Sequence, residues 1–290
     1  MTRLIVNADD FGLTPGVNRA ILELHRAGVL TSTTLMARAP ATAEAIALAR
    51  ATPTLGVGCH VVLIDGQPVL PASELPTLVD LRTGHFHPTP GRFLTRLFTG
   101  RIRVSEIEAE ATAQIALLQS RGLRITHIDT HKHTHMFPPV LRAILRAARK
   151  AGIRCIRNPF EPEWAVRATP RASRLRSVEV FALRLLRPYF QRLIDKEGFV
   201  TTDGTIAVAG TGVLDAAMVR SLMNQLPAGT WELVTHPGYN DADLAKVRTR
   251  LRASREIERS ALEALREFVA IDLISFAALG PEVHTRPSPP

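Results

Sequence analysis

The chain has 290 residues, 46% of them apolar, with 36 basic and 27 acidic side chains and a net charge of +9. That length supports one sizeable core, and no stretch reaches the roughly 18 uninterrupted apolar residues of a membrane-spanning helix. Only Lys132, Lys150, Lys196 and Lys246 are lysines, so arginine dominates the positive charge. Such a surface suits acidic lipids or acidic substrates; no nucleic-acid-binding module accompanies it, and no nucleic-acid partner is expected. Cys59 and Cys155 are too few for a disulfide framework. The first six residues run straight into the polar cluster Asn7-Ala8-Asp9-Asp10 without a signal-peptide pattern. A cytoplasmic protein is predicted.

Residues 4–6 read as a buried strand. Thr14 and Pro15 supply an N-cap and a first helical residue, and Gly28 ends a helix that carries Ala20, Ile21 and Leu24. A strand over 32–36, a helix over 41–51 and a strand over 56–63 follow. Ser105 and Glu108 have the spacing of a capping box, for a helix ending near Gly122. Beyond it come a strand over 124–130, a helix over 138–151 and a strand over 153–157. Later elements are a strand over 231–235, a long charged helix within 242–269 and a last strand over 271–276. Repeated strand-helix units predict an α/β fold with a parallel sheet and helices outside. Two segments, near 65–104 and 160–212, interrupt the alternation and read as insertions in a single domain spanning 1–280. The Pro-rich residues 281–290 read as a disordered tail.

Chemistry-bearing residues gather where predicted strands end: Asp9 and Asp10, His60, His131, Arg157 and His236. In a parallel barrel those ends share the face that holds the active site. The densest cluster is Thr126-His127-Ile128-Asp129-Thr130-His131-Lys132-His133-Thr134-His135. In an extended strand His127, Asp129, His131, His133 and His135 would all point the same way, which no apolar core accommodates. The favoured reading is a metal site supported by neighbouring polar groups, and the alternative is an accidental His-rich loop. Two imidazoles and a carboxylate leave a coordination position open, as catalytic sites require. A divalent ion there lowers the pKa of bound water and polarises a carbonyl oxygen, while a base and an acid move the protons. Adjacent Asp9 and Asp10 can divide such tasks, one on the metal and one accepting a proton. A glycosidase is disfavoured, because carboxylates adjacent in sequence do not by themselves give the separation needed across a sugar.

Four motifs, Asn7-Ala8-Asp9-Asp10-Phe11-Gly12, Gly58-Cys59-His60, the histidine cluster continued by Met136-Phe137-Pro138, and Thr235-His236-Pro237-Gly238-Tyr239, resemble those of the YdjC/ChbG-type carbohydrate deacetylases. The resemblance implies an irregular (β/α) barrel of the carbohydrate deacetylase type and one divalent ion, Zn2+ or Mg2+. It implies Asp10, His60 and His131 as metal ligands, Asp9 as general base, His236 as general acid, and Arg157 as the arginine that orients the base. The run Cys59-His60-Val61-Val62 departs from the more regular His-Leu-containing run of many relatives. Within the family the chain most resembles the hopanoid-biosynthesis branch, which implies N-acetylglucosaminyl hopanoid (bacteriohopanetetrol) as a lipid-linked substrate. A soluble chitooligosaccharide is the alternative, and a membrane-surface binding protein with a structural metal is the non-enzymatic one. Val178, Phe181, Leu183, Leu185, Leu186, Tyr189, Phe190 and Leu193 lie among Arg174, Arg176, Arg184, Arg187 and Arg192, and a second such stretch spans 92–103. Both suit peripheral contact with the inner face of a membrane, or packing of an amphipathic helix on the barrel.

Overall fold

A computed structural model describes residues 1–169 and 174–279. The chain begins with β1 (Thr2–Phe11), α1 (Pro15–Arg26), β2 (Ser32–Leu35), α2 (Thr42–Arg50) and β3 (Gly56–Val61). A small hairpin of β4 (Val79–Asp80) and β5 (His85–Phe86) leads to α3 (Pro90–Phe98), α4 (Val104–Ser120), β6 (Ile128–Thr130) and α5 (Pro138–Lys150). Then come α6 (Glu163–Ala168), α7 (Arg174–Leu183), α8 (Arg187–Glu197), β7 (Gly204–Ile206), α9 (Ala216–Asn224) and β8 (Gly229–Thr235). The described chain closes with α10 (Ala242–Ala245), α11 (Arg252–Ala261) and β9 (Asp272–Leu273). The predicted tail, 281–290, lies outside the described residues.

The main sheet runs in the order β6-β3-β2-β1-β8-β7, with β9 also on β1, and its pairings are parallel. Single bridges from Ile128 to Ile156 and from Cys155 to Val200 carry the hydrogen bonding onward from β6 toward the segment that enters β7. The sheet thus curls round on itself, as the predicted irregular α/β barrel requires. Parallel register brings residues of neighbouring strands side by side: His60 lies opposite Asp129, and Thr205 opposite Glu232.

Several predicted boundaries move, each for a physical reason. β1 continues past residue 6 to Phe11, because Asn7, Asp9 and Asp10 are buried and paired rather than marking a strand end. The capping box at Ser105 does not form; α4 starts at Val104 after Arg103, with no side-chain cap. Two of its acidic residues, Glu106 and Glu110, turn inward instead, while Glu108 pairs with Arg146 and Lys150 of α5. Glu106 accepts from the backbone N–H of Thr77 and Leu78, Glu110 from Val69 and Leu70, and Gln114 brackets both backbone groups of Val62. A Pro-rich loop has no ladder to satisfy its N–H groups, so α4 supplies acceptors at helical spacing. The long charged helix divides into α10 and α11, and Arg252 caps the end of α10 through the carbonyls of Ala245 and Val247. Within 160–212, Gly204–Ile206 is a strand of the main sheet.

Along the basic stretch, Phe181 and Leu185 are 63% and 82% exposed, whereas Phe190 is fully buried against Phe160. Phe190 therefore belongs to the core and not to a membrane-facing surface. Tyr189 and Leu193 also lean on the core.

Candidate active site

The carboxyl ends of β1, β3, β6 and β8 converge on one polar centre. β1 brings Asp9 and Asp10. Asp10 takes a left-handed conformation, φ +66°, which is uncommon for a residue with a side chain and marks a turn held by its surroundings. β3 brings His60, and β6 brings Asp129 directly beside it. Asp129 Oδ1 bonds His60 Nδ1 at 2.8 Å, which leaves Nε2 of the same ring free to face Asp10 and His131. Thr34, on β2, reaches both Asp9 Oδ1 (3.1 Å) and His60 Nδ1 (3.2 Å).

The histidine cluster is not one extended strand. Only residues 128–130 are strand, and Lys132 and His133 both have positive φ, so the chain turns tightly through residues 131–136. His131 is thereby delivered to Asp10 and His60. His135 turns behind the centre, where it bonds Thr130 Oγ1 at 2.8 Å and the Arg157 carbonyl at 3.2 Å. His127 lies deeper, stacked on Phe276 at 3.8 Å, and burial drives its pKa down to about 3. A Cβ on Gly58 would stand 2.5 Å from the His127 ring, which accounts for the glycine two residues before His60. The expectation that five side chains share one strand face is corrected: alternation stops at Thr130.

Asp10 Oδ1, His60 Nε2 and His131 Nδ1 form a triangle with sides of 3.2, 3.5 and 3.6 Å. Bonds of about 2.1 Å at tetrahedral angles put donor atoms about 3.4 Å apart, so these residues fit a single divalent ion. They are the more open of two candidate ligand groups among the described residues; the other, Asp9 with the same His60 and Asp129, is fully buried, and both its carboxylates are already paired with Arg157.

Arg157 is the hub of the buried charge. It is completely buried and donates to both oxygens of Asp9, at 2.6 and 2.8 Å, to Glu232 at 2.8 Å, and to Asp129. Burial alone would raise the Asp9 carboxyl, but Arg157, then His60 and His236, outweigh it and hold Asp9 well below the usual carboxylate range. Glu232 fares differently. Desolvation, with the like charges of Asp9 and Asp129, pushes it up to about 7 against the pull of Arg157. Of the three carboxylates around Arg157, Glu232 is thus the one whose protonation its surroundings favour.

His236 follows β8, with Nε2 3.9 Å from Asp9 Oδ2. Glu258 of α11 accepts the His236 backbone N–H at 2.7 Å and lies 3.7 Å from Nδ1. Burial would lower the imidazole, yet Glu258, Asp9 and Asp10 raise it above its ordinary value. All six residues predicted from sequence meet at this centre: Asp9, Asp10, His60, His131, Arg157 and His236. Glu232, Arg255 and Glu258 were not predicted. A glutamate within the apolar run Trp231-Glu232-Leu233-Val234 could have drawn notice, since an unpaired charge is costly in a buried strand. Arg255 and Glu258 resemble any solvated pair on a charged helix.

Fold and site define an α/β barrel protein with an aspartate–histidine centre fitted to a divalent ion. The chain belongs to the YdjC-like protein family, whose model it matches over residues 3–270. It is 32% identical over 288 residues to a carbohydrate deacetylase of Brevibacillus brevis, covering 96% of this chain and 100% of that one. It is 40% identical over 152 residues to a chitooligosaccharide deacetylase of Salmonella schwarzengrund, covering 52% and 57% respectively. A solved structure from Enterococcus faecalis, named for cellobiose-phosphate cleavage, superposes with a TM-score of 0.76 at 29% identity, covering 97% of this chain and 99% of that one.

Proposed function

We propose that this chain is a metal-dependent carbohydrate deacetylase, hydrolysing the N-acetyl group of an amino sugar. The observation that carries this reading is the donor triangle of Asp10, His60 and His131, set beside a carboxylate and a histidine that the ion does not need. A divalent cation there, Zn2+ or Mg2+, supplies Lewis acidity toward the acetyl carbonyl; the two imidazoles favour zinc. Asp9, ionised and fixed by Arg157, accepts a proton from the attacking water. As the water oxygen bonds the acetyl carbon and the C–N bond breaks, protonated His236 gives its proton to the departing nitrogen. The products are acetate and the free amine.

This division of labour sets a pH dependence. His236 works in its protonated form, and its pKa is raised, so activity should persist above the usual imidazole value of about 6.5 and fall as pH passes the raised value. Asp9 is held so low that it imposes no limb in the ordinary acidic range. Glu258→Gln removes the largest influence raising His236, so the alkaline limb of kcat should move to lower pH. A pH–rate profile of the variant superimposing on that of the parent would remove His236 from the role of acid.

For the substrate, we propose N-acetylglucosaminyl hopanoid (bacteriohopanetetrol), met by the enzyme on the cytoplasmic face of a membrane. The support is the exposed apolar set Val178, Phe181 and Leu185 with Arg184 seated over the Phe181 ring at 5.7 Å. No helix among the described residues is long and apolar enough to cross a membrane, so contact would be peripheral. Both cysteines are free and buried, which accords with a reducing compartment. The Salmonella relative favours a second reading, a soluble chitooligosaccharide. Competition decides between them: both substrates, the lipid in detergent, are offered to the metal-loaded enzyme and loss of one acetyl group is followed by mass spectrometry. The lipid-linked sugar should be deacetylated faster, and Phe181→Ser with Leu185→Ser should slow it selectively. Preference for the soluble sugar, unmoved by those changes, would establish the second reading. Failure to deacetylate either would sink the deacetylase assignment.

A further inference from the structure

Arg255 is 1% exposed, and its one side-chain hydrogen bond among the described residues is from Nη2 to Asp10 Oδ2, at 2.5 Å. Its Nε and Nη1 are buried without a hydrogen-bonding partner. A buried guanidinium answered by one carboxylate, with two nitrogens unpaired, is a poor device for stability, because desolvation of the charge is not recovered. Its placement is nonetheless enforced. The Gly238 backbone N–H donates to the Arg255 carbonyl at 3.2 Å, and a Cβ on Gly238 would stand 3.0 Å from Arg255 Cδ. One turn further along α11, Glu258 holds the His236 backbone. The helix is thus locked to the loop after β8 while its arginine reaches across to the end of β1.

The consequence lies in how Asp10 divides its two oxygens. Oδ1 faces His60 Nε2 and His131 Nδ1 at 3.6 and 3.5 Å, and Oδ2 faces Arg255. We propose that Arg255 is a positioning residue for the metal centre: by occupying Oδ2 it orients Asp10 and confines it to the ion through Oδ1 alone, so that a coordination position remains for the reacting groups. This rests on the assignment of Asp10, His60 and His131 as ligands. The alternative effect of the guanidinium is Coulombic, a positive charge that weakens cation binding. The two effects have opposite signs, so one measurement separates them.

The test is calorimetric titration of the metal-stripped full-length protein with Zn2+ alone, without substrate. Residues that support a metal ligand typically contribute about 10–100-fold in affinity. Arg255→Met, which keeps the length of the side chain but removes its charge and donors, should bind zinc more weakly by that factor. Arg255→Lys, which keeps a cation but not the planar fork, should recover part of the loss. If Arg255→Met fails to fold, Arg255→Lys carries the test alone, with at least a roughly threefold weaker affinity expected from a partial loss on the same scale. Unchanged or tighter zinc binding in a folded variant overturns the inference and leaves the deacetylase reading standing. Absence of zinc binding by the parent protein overturns both.

Discussion

His131→Ala is expected to lose most of its bound divalent metal and, with it, deacetylation. The Nδ1 atom of His131 stands 3.2 Å from Nε2 of His60 and 3.5 Å from Asp10 Oδ1. Two imidazole nitrogens this close cannot both carry hydrogens directed at each other, and a shared cation satisfies both lone pairs at once. Without His131 the ion keeps two protein donors, too few for a catalytic site of the three-ligand kind. The loss in affinity should exceed the about 10–100-fold typical of residues that merely support a ligand. The side chain is 21% exposed, so truncation opens no deep cavity and the barrel should stay folded. Metal content after dialysis, measured beside zinc-dependent hydrolysis, is the check, and a fully occupied His131→Ala protein would remove His131 from the ligand set. His135→Ala provides the contrast. His135 lies behind the centre on Thr130 and the Arg157 carbonyl, and its replacement should leave the metal bound.

The same pair of histidines shows how much of this protein is legible in its sequence. Strand-helix alternation gives the barrel, because a parallel sheet needs both a buried strand and a crossover helix in each unit. The six predicted site residues meet at one centre because barrel strand ends share a face. What alternation cannot give is the turn after Thr130. Two consecutive left-handed residues, Lys132 and His133, send His131 toward Asp10 and His60 and His135 behind Arg157, and no strand pattern encodes that. Glycine would have announced such a turn; lysine and histidine do not. Partners from distant segments are equally hidden. Glu232 completes the cage of Arg157, and Arg255 and Glu258 lean on Asp10 and His236, yet Glu232 depends on tertiary approach across 75 residues, and Arg255 and Glu258 come from a helix with no marking of its own. The apolar positions on α7 and α8 mislead in the other direction. Phe181 and Phe190 look alike in sequence, but one faces outward and the other packs on Phe160.

Asp9→Asn should retain the metal and fold but lower kcat by about 10²–10⁴-fold, the range that a positioned acid or base contributes. Asn keeps the size of the side chain and can still accept from Arg157 through its carbonyl oxygen, but it cannot take a proton from water. The fold should survive because Arg157 keeps Asp129 and Glu232 as partners. Loss of the Asp9 charge also relieves Glu232, whose carboxyl is pushed up to about 7 partly by that like charge. In the variant Glu232 should ionise more fully and help to neutralise Arg157. The ion should remain, since Asp9 lies outside the triangle of Asp10, His60 and His131. Metal stoichiometry and kcat measured on the same preparation make the distinction. Normal turnover with metal bound would mean that another group takes the proton. Loss of both metal and turnover would mean that Asp9 supports the ion, and the proton-transfer role would pass to a different residue.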